Sequence, residues 1–246
     1  VDETGEMFWL YGAEDLAGDG NTFNQPEQAL DIRTVYAATD PMRFWLRAYV
    51  SDPAAPSANV VVYVFVDSDQ NQATGGSAAA AAIDPRFTAD PSGGGYEHAF
   101  AMRGDGTMAG LWHFNQGNMM FQSENLNPNE ATAEAGVDGD PILLGSEAHG
   151  YVQAAIDHGK IGVSATCQAR LYIRSLDAAG GAVSDLDVGE SAPCVALDAD
   201  ADGVPDILVP PSGCTSDDQC PFFGICVDGN CVTARPCDGQ ADCAPD

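Results

Sequence analysis

The chain has 246 residues, 45% of them apolar, which is enough for one large domain or for one domain with a small appendage. It carries 37 acidic residues against nine basic ones, a formal net charge of -28. Such a surface repels nucleic-acid phosphates and anionic lipid headgroups, so nucleic acid is excluded as a partner and cations are attracted. No run of residues reaches the roughly 18 apolar positions of a membrane span, so no membrane insertion is expected.

Residues 1–195 have the pattern of a β domain. Short apolar and β-branched runs recur there, separated by clusters of Gly, Pro, Asp and Asn. Because helical signals between them are weak, we predict an all-β fold, an antiparallel β-sandwich of jelly-roll-like type. The predicted strands are Met7–Tyr11, Leu30–Ala37, Arg43–Val50, Val60–Asp67, Tyr96–Arg103, Gly110–Asn115, Met119–Ser123, Gly150–Ile156 and Thr166–Ser175.

Three segments of this domain allow a finer prediction. Val60–Val66 is apolar almost throughout, which indicates a central strand covered on both faces. Arg43–Val50 instead alternates and should bury one face only. Its predicted inner residues are Phe44, Leu46, Ala48 and Val50, and its predicted outer residues are Arg43, Trp45, Arg47 and Tyr49. Ser77–Ala82 contains five consecutive alanines and predicts either a short helix or a small-residue packing loop.

The C-terminal part differs in composition. Residues 196–212 are predicted to form a linker, and residues 213–246 a small disulfide-rich appendage. Six of the eight cysteines lie in the last 33 residues: Cys214, Cys220, Cys226, Cys231, Cys237 and Cys243. This density predicts a disulfide framework and a secreted or cell-surface protein, since disulfides persist in oxidising compartments. The alternative, a zinc cluster, is disfavoured because the tail has no histidine and no C-x-x-C pair.

Export also bears on the two ends of the chain. No signal peptide is visible, so we expect Val1 to lie at or near a processed N-terminus. The second cysteine repeat stops after its second cysteine, which is consistent with a precursor that continues beyond Asp246.

The strongest motif is a D-x-D-x-D-G-x-x-D run within the linker. We predict that its oxygens bind Ca²⁺, which takes six to eight oxygen ligands in loose geometry. The predicted ligands are the carboxylates of Asp198, Asp200, Asp202 and Asp206 and the backbone carbonyl of Val204. An EF-hand loop would need a glutamate where Val209 stands. The alternative interpretation is a solvated acidic linker.

A second candidate calcium loop directly follows the apolar strand. Its predicted ligands are Asp67, Asp69 and Asn71, because loops at strand ends are common ligand positions. The alternative is a polar turn, since Asp and Asn are ordinary turn residues.

Several segments resemble known families. AEDLAGDGN, LDIRTVYAATDPMRFWLRAYV and VVVYVFVDSDQNQATGG, followed by YVQAAIDHGKIG and CQARLYIRSLDAAG, resemble the family 9 carbohydrate-binding module and its DOMON-like relatives over roughly residues 10–190. The resemblance implies a β-sandwich with bound calcium and also suggests sugar binding, in which aromatic rings stack on pyranose faces. The candidate rings are Trp45, Tyr49 and Trp112, although a tryptophan in a β-sandwich is more often part of the core.

The C-terminal segments carry two further resemblances. The aspartate run is similar to the thrombospondin type 3 repeat, which implies a single structural calcium ion. The tail resembles C-x5-C-x5-C-x4-C repeats of secreted bacterial surface proteins, but its six cysteines permit 15 pairings and the sequence does not choose among them. Cys167 and Cys194 stand apart from the tail, and we predict that they pair with each other.

No catalytic signature is present, since G-x-S-x-G, H-E-x-x-H and the phosphate-binding loop motif are all missing, and we therefore expect a protein that is not an enzyme. Two functions fit the sequence. The first is a calcium-stabilised structural or adhesive surface protein that self-associates into a fibre or layer. The second is a carbohydrate-binding module, displayed on or secreted from the cell surface, with a polysaccharide as its partner.

Overall fold

A computed structural model of the chain describes residues 11–14, 30–39, 42–88, 93–139, 148–163, 169–179, 186–187, 224–227 and 230–233. The chain divides into two compact units, Val1–Pro205 and Asp206–Asp246. The predicted linker at 196–212 lies outside the described residues.

The first unit is built from eleven described strands and one helical turn. All strand pairings are antiparallel, and the prediction of an all-β fold is confirmed. The elements are β1 (Tyr11–Glu14), β2 (Ile32–Thr39), β3 (Arg43–Val50), β4 (Val60–Asp67), β5 (His98–Arg103), β6 (Met108–Asn115), β7 (Met120–Ser123), β8 (Ala131–Gly139), β9 (Ala148–Asp157), α1 (His158–Ile161), β10 (Arg170–Asp177) and β11 (Leu186–Asp187).

These strands form two sheets with a shared core. The five-stranded sheet has the order β1-β2-β3-β9-β8, and the six-stranded sheet has the order β11-β10-β4-β5-β6-β7. Apolar side chains from both sheets belong to one buried cluster. Within it, the ring of Phe44 on β3 meets that of Phe100 on β5 edge-to-face, with centroids 6.3 Å apart. The two sheets therefore pack as the layers of a sandwich, and the jelly-roll-like connectivity stays a prediction.

Strand β4 is covered on both faces, as its apolar sequence predicts. All eight of its residues are buried. Val62 and Val64 point into the core between the sheets. Tyr63 and Phe65 point the other way, into a second cluster to which Phe87 contributes from the long segment between β4 and β5. That segment acts as a third layer over the six-stranded sheet.

The covering segment is held down by a buried polar group. Asp84 is 6% exposed and accepts hydrogen bonds from Arg86 Nε at 2.8 Å and from Arg86 Nη2 at 2.7 Å. The hydroxyl of Tyr63 also donates to Asp84, at 3.2 Å. Burial, together with the Asp84 carboxylate, raises the pKa of Tyr63 to about 12. The alanine run 77–82 forms turns rather than a helix, and Ala78 is fully buried, so the packing-loop alternative is the correct one.

Strand β3 has the predicted bounds and largely the predicted alternation. Its four inner residues are buried, while Arg43, Trp45 and Arg47 are half-buried. Tyr49 departs from the pattern and has no exposed surface. It lies in a group of rings, with the Tyr36 centroid 6.0 Å away and the Tyr151 centroid 5.9 Å away.

Strand β8 is absent from the sequence-based prediction. Its sequence, ATAEAGVDG, consists of small and acidic residues that have low intrinsic strand preference. It forms because nine of its residues pair with β9, from Ala131 opposite Ile156 to Gly139 opposite Ala148. Of the predicted strand Met7–Tyr11, the structure describes Tyr11 alone, which pairs with Ala37 of β2 in its own domain.

In the second unit the structure describes one hairpin. It consists of β12 (Gly224–Val227) and β13 (Asn230–Thr233), with Cys226 directly opposite Cys231 in the register. The other tail cysteines, together with Cys167 and Cys194, lie outside the described residues.

Candidate metal centre

Three carboxylates meet where the buried strand β4 ends. Asp67 is the last residue of β4, Asp69 follows in the loop, and Glu97 directly precedes β5. Each offers an oxygen such that all three oxygens lie within 4.8 Å of one another. Asp67 is fully buried, Glu97 is half-buried and Asp69 is exposed, so the group opens to solvent on one side. In the described part of the chain this is the one cluster of its kind.

Asp67 is fixed by a partner on the neighbouring strand. Arg170 of β10 stands opposite Asp67 in the register, and its Nε donates to Asp67 Oδ2 at 3.0 Å. The same guanidinium lies 5.0 Å from the ring centroid of Tyr96 and donates to the carbonyl of Gly94. Three carboxylates and one guanidinium leave two uncompensated negative charges among these groups. This excess suits a divalent cation.

The loop after β4 is folded around its own acidic side chains. The amide of Asn71 donates to Asp69 Oδ1 at 2.8 Å and to Asp67 Oδ1 at 3.2 Å. The hydroxyl of Thr74 lies 2.9 Å from Asp69 Oδ2 and 3.1 Å from Glu97 Oε1. Because a hydroxyl has one proton to donate, Thr74 can hydrogen-bond to only one of these carboxylates at a time, and it removes the charge of neither. The hydrogen bonds within the loop come from neutral donors, so they leave the negative charge of the carboxylates in place.

Two glycines allow the loops to approach each other this closely. Gly75 has φ +68°, and a Cβ there would lie 2.5 Å from the backbone carbon of Tyr96. Gly95 has φ +91°, and its Cβ would lie 2.6 Å from the Cα of Gln72. No other residue type fits these positions without displacing backbone. The segment before β5 is thereby pressed against the loop after β4, which brings Glu97 to the two aspartates.

The electrostatic environment of Glu97 reflects this crowding. Burial is the largest cause that raises the pKa of Glu97, and the negative charges of Asp69 and Asp67 raise it further. The backbone amide of Ser68 donates to Glu97 Oε2 at 2.9 Å and opposes that shift. Like-charged groups held together in this way are typical of sites that gain from a bound cation.

The structure thus brings the predicted ligands Asp67 and Asp69 together, but it does not direct the side-chain oxygen of the third, Asn71, to the same centre. The side-chain oxygen of Asn71 accepts the amide of Ala73 at 3.1 Å, so in this conformation it stabilises the loop. Glu97 was missed because it is 28 residues further along the sequence than Asp69. It joins the two aspartates because β4 pairs with β5, which places the start of β5 beside the end of β4.

The stronger sequence motif is the aspartate run of the predicted linker. Asp198, Asp200, Asp202, Val204 and Asp206 all lie outside the described residues. Calcium binding there stays a prediction.

The three candidate stacking rings lie in different surroundings. Trp45 is half-buried on the outer face of the five-stranded sheet, and Tyr49 on the same strand is fully buried, so its ring offers no face to a ligand in this conformation. Trp112 belongs to the six-stranded sheet and stacks on Tyr63 with centroids 6.2 Å apart. The structure does not bring these three rings together into one surface.

Comparison with known proteins adds no assignment, since no protein-family model and no curated protein matches the chain. Within the described residues, no helix has the length and apolar character needed to cross a membrane.

The raised pKa of Glu97 leads to a prediction about pH. In the cation-free protein, the unfolded state ionises Glu97 from its ordinary pKa of 4.5, whereas the folded state ionises it only at higher pH. Stability is therefore lost as the pH rises through this interval. Glu97→Gln removes this loss, so in a chelator the free energy of unfolding should fall less steeply from pH 4.5 toward neutral than in the wild type.

Chemical denaturation at a series of pH values measures this slope. Glu134→Gln is the matched control, because Glu134 is exposed on β8, which belongs to the other sheet. Equal slopes for wild type and Glu97→Gln would contradict the crowding of charge at this centre. Excess Ca²⁺ should reverse the wild-type trend, because the bound ion favours the ionised carboxylate.

Proposed function

We propose that the chain is a non-catalytic, extracellular or cell-surface protein whose β-sandwich is stabilised by Ca²⁺. We further propose a structural or adhesive role in which it self-associates into a fibre or layer. The observation that carries this proposal is the convergence of Asp67, Asp69 and Glu97 at the end of a fully buried strand.

The chemistry of the donors favours calcium among the common divalent ions. Each of the three side chains offers carboxylate oxygen, which hard cations prefer. Ca²⁺ accepts irregular sets of six to eight oxygens, whereas Mg²⁺ demands a nearly octahedral shell and releases its waters reluctantly. Three carboxylates held irregularly at the ends of two strands therefore suit Ca²⁺ better than Mg²⁺.

A cation at this centre would stabilise more than the loop itself. It would join the end of β4 to the residue before β5, and the segment between these two points covers the outer aromatic cluster of the six-stranded sheet. Ordering that segment keeps Phe87 and Tyr96 buried against Phe65. Calcium binding and burial of the cluster should therefore favour each other.

The acidic surface supports the assembling role. Copies of a chain with a net charge of -28 repel one another in the absence of counter-ions. Divalent cations reduce this repulsion by binding to carboxylates. Association of this protein should therefore depend on calcium, and the dense cysteines of the tail support a protein that works outside the cell.

Calcium should raise the thermal stability of the protein, and a chelator should lower it. An ion that binds only the folded state adds about 2.7 kcal/mol when its free concentration is about 100 times its Kd. We expect Asp69→Asn to remove part of the calcium-dependent rise in Tm, measured by scanning calorimetry with and without excess chelator. Asp69 is the suitable position because it is exposed, so its substitution disturbs packing little.

Two comparison variants show which loop is responsible. Asp105→Asn changes an exposed turn aspartate elsewhere in the domain and should leave the calcium effect intact. Asp202→Asn changes the other predicted loop and should remove a separate part of the rise. A Tm that excess chelator leaves unchanged would rule out calcium at both loops.

Electron microscopy of the native protein tests the assembling role. In about millimolar Ca²⁺, the range in which extracellular modules bind the ion, we expect fibres or layers that dissociate on chelation. Monodisperse monomers in Ca²⁺ would argue against self-assembly and would leave a calcium-stabilised monomeric module.

One observation favours carbohydrate binding as the second candidate. On the outer face of the five-stranded sheet, Arg47, Gln153 and Glu134 stand in one row across three strands. Arg47 Nε donates to Gln153 Oε1 at 2.7 Å, and Gln153 Nε2 donates to Glu134 Oε1 at 2.9 Å. The guanidinium lies 4.2 Å from the ring centroid of the half-buried Tyr151. Trp45 shares this face, so rings and hydrogen-bonding groups lie side by side, which is typical of sugar sites.

Titration with soluble glycans, monitored by tryptophan fluorescence, distinguishes this candidate from the first. If sugar binds here, saturable quenching should occur in the wild type and disappear in Trp45→Ala. Trp112→Phe is the matched control, because Trp112 packs on the other sheet and should leave the quenching in place. Quenching that survives in Trp45→Ala would exclude this face as the sugar site.

A further inference from the structure

A pair of histidines lies on the two strands next to the candidate metal centre. His98 of β5 and His113 of β6 stand directly opposite each other. The amide of Phe114 donates to the carbonyl of Glu97 at 2.7 Å, so Glu97 and Phe114 form a hydrogen-bonded pair. Because the two kinds of pair alternate in an antiparallel ladder, His98 and His113 form a non-hydrogen-bonded pair, in which opposed side chains are closest.

Both rings lie at the rim of the space between the sheets. His98 is on the same face of β5 as Phe100 and Met102, and His113 is on the same face of β6 as Leu111, all of which belong to the main core. The histidines themselves are half-buried at the end of this face. They are thus anchored on two paired strands, and their side chains are only partly covered.

A carboxylate lies beside one of the rings. Glu124 Oε1 is 3.0 Å from His113 Nδ1, which is ion-pair distance, although the two are not aligned as a hydrogen bond. A carboxylate on this side favours the tautomer with the proton on Nδ1 and leaves the lone pair of Nε2 for a ligand. Metal-binding histidines commonly donate their second ring N–H to a carboxylate, and Glu124 lies at the distance of such a partner.

The other ring has an unused nitrogen. His98 Nδ1 is buried and has no hydrogen-bond partner in the described part of the chain. A buried polar atom without a partner is costly, and a bound ion would relieve that cost.

We propose that His98 and His113 form a two-imidazole site for a divalent transition-metal ion, with Glu124 as the positioning residue. Imidazole nitrogen suits Cu²⁺, Ni²⁺ and Zn²⁺, whereas Ca²⁺ prefers oxygen, so this site is distinct from the Asp67–Asp69–Glu97 centre. Among these ions Cu²⁺ binds nitrogen ligands most tightly and is the best probe.

Lys160 should lower the affinity of this site for a metal ion. Its Nζ is 3.9 Å from Glu124 Oε2 and 3.2 Å from Glu130 Oε2. This positive charge opposes a cation beside Glu124. Lys160→Gln should therefore tighten metal binding, whereas Glu124→Gln should weaken it by roughly tenfold, the lower end of the effect of removing a carboxylate behind a metal-bound histidine.

The test is a Cu²⁺ titration of the full chain followed by electron paramagnetic resonance, which counts bound nitrogens through their hyperfine splitting. We expect one ion coupled to two imidazole nitrogens in the wild type. His98→Asn and His113→Asn should each lose the two-nitrogen signal. His149→Asn is the matched control, since its ring lies on β9 of the other sheet, with Nδ1 3.3 Å from the carbonyl of Val50.

Metal-free thermal unfolding of each variant checks that the fold persists, and Ca²⁺ titration checks that the carboxylate centre is unaffected. A two-nitrogen signal that survives in both single variants would overturn the proposal. So would copper bound with a sulfur signature, which would assign the ion to cysteines. Loss of the signal in His149→Asn alone would place the ion at that ring instead.

Discussion

The ion pair between Asp67 and Arg170 organises one end of the sandwich. Asp67 is fully buried at the end of a strand whose other residues are apolar, with one exception, the tyrosine hydroxyl that is tied to Asp84. A charge in such a position persists only if it is paired, because the desolvation of an unpaired carboxylate costs several kcal/mol. Arg170 supplies the pair from the adjacent strand and reaches the Gly94 carbonyl and the Tyr96 ring with the same guanidinium. Each partner of this ion pair also contacts one of the adjoining loops, since Asp67 Oδ1 accepts the Asn71 amide and Arg170 donates to the Gly94 carbonyl.

The six-stranded sheet is apolar on both faces. The five-stranded sheet covers one face, and the segment between β4 and β5 covers the other. The ends of that segment, at Asp69 and Glu97, are also the ends that carry the carboxylates. The same stretch of chain therefore protects an aromatic cluster and gathers uncompensated charge. Glu97 directly precedes β5 and His98 is its first residue, and because side chains alternate along an extended chain the two point to opposite sides of the sheet.

The sequence predicts some strands correctly and misses another, and it identifies some of the candidate ligands but not all of them. Val60–Asp67 and Arg43–Val50 were predicted to the residue, because hydrophobic run and alternation are local signals. Strand β8 was missed because its small and acidic residues have no local preference for a strand, and pairing with β9 creates it. Asp67 and Asp69 were identified as candidate ligands because they directly follow the apolar strand, whereas Glu97 and the pairing of His98 with His113 depend on the register of β4, β5 and β6.

The sequence by itself determined the class of fold, the acidic character and the oxygen-rich loop after the buried strand. These follow from composition and from periodicity over a few residues, which are local properties that do not depend on how distant segments pair. Only the tertiary structure decided which distant residues complete each cluster, that Asn71 stabilises its loop, and that Tyr49 is fully buried while Trp45 is half-buried. Such outcomes depend on strand order and register, and these are fixed by the packing of whole sheets rather than by any local segment.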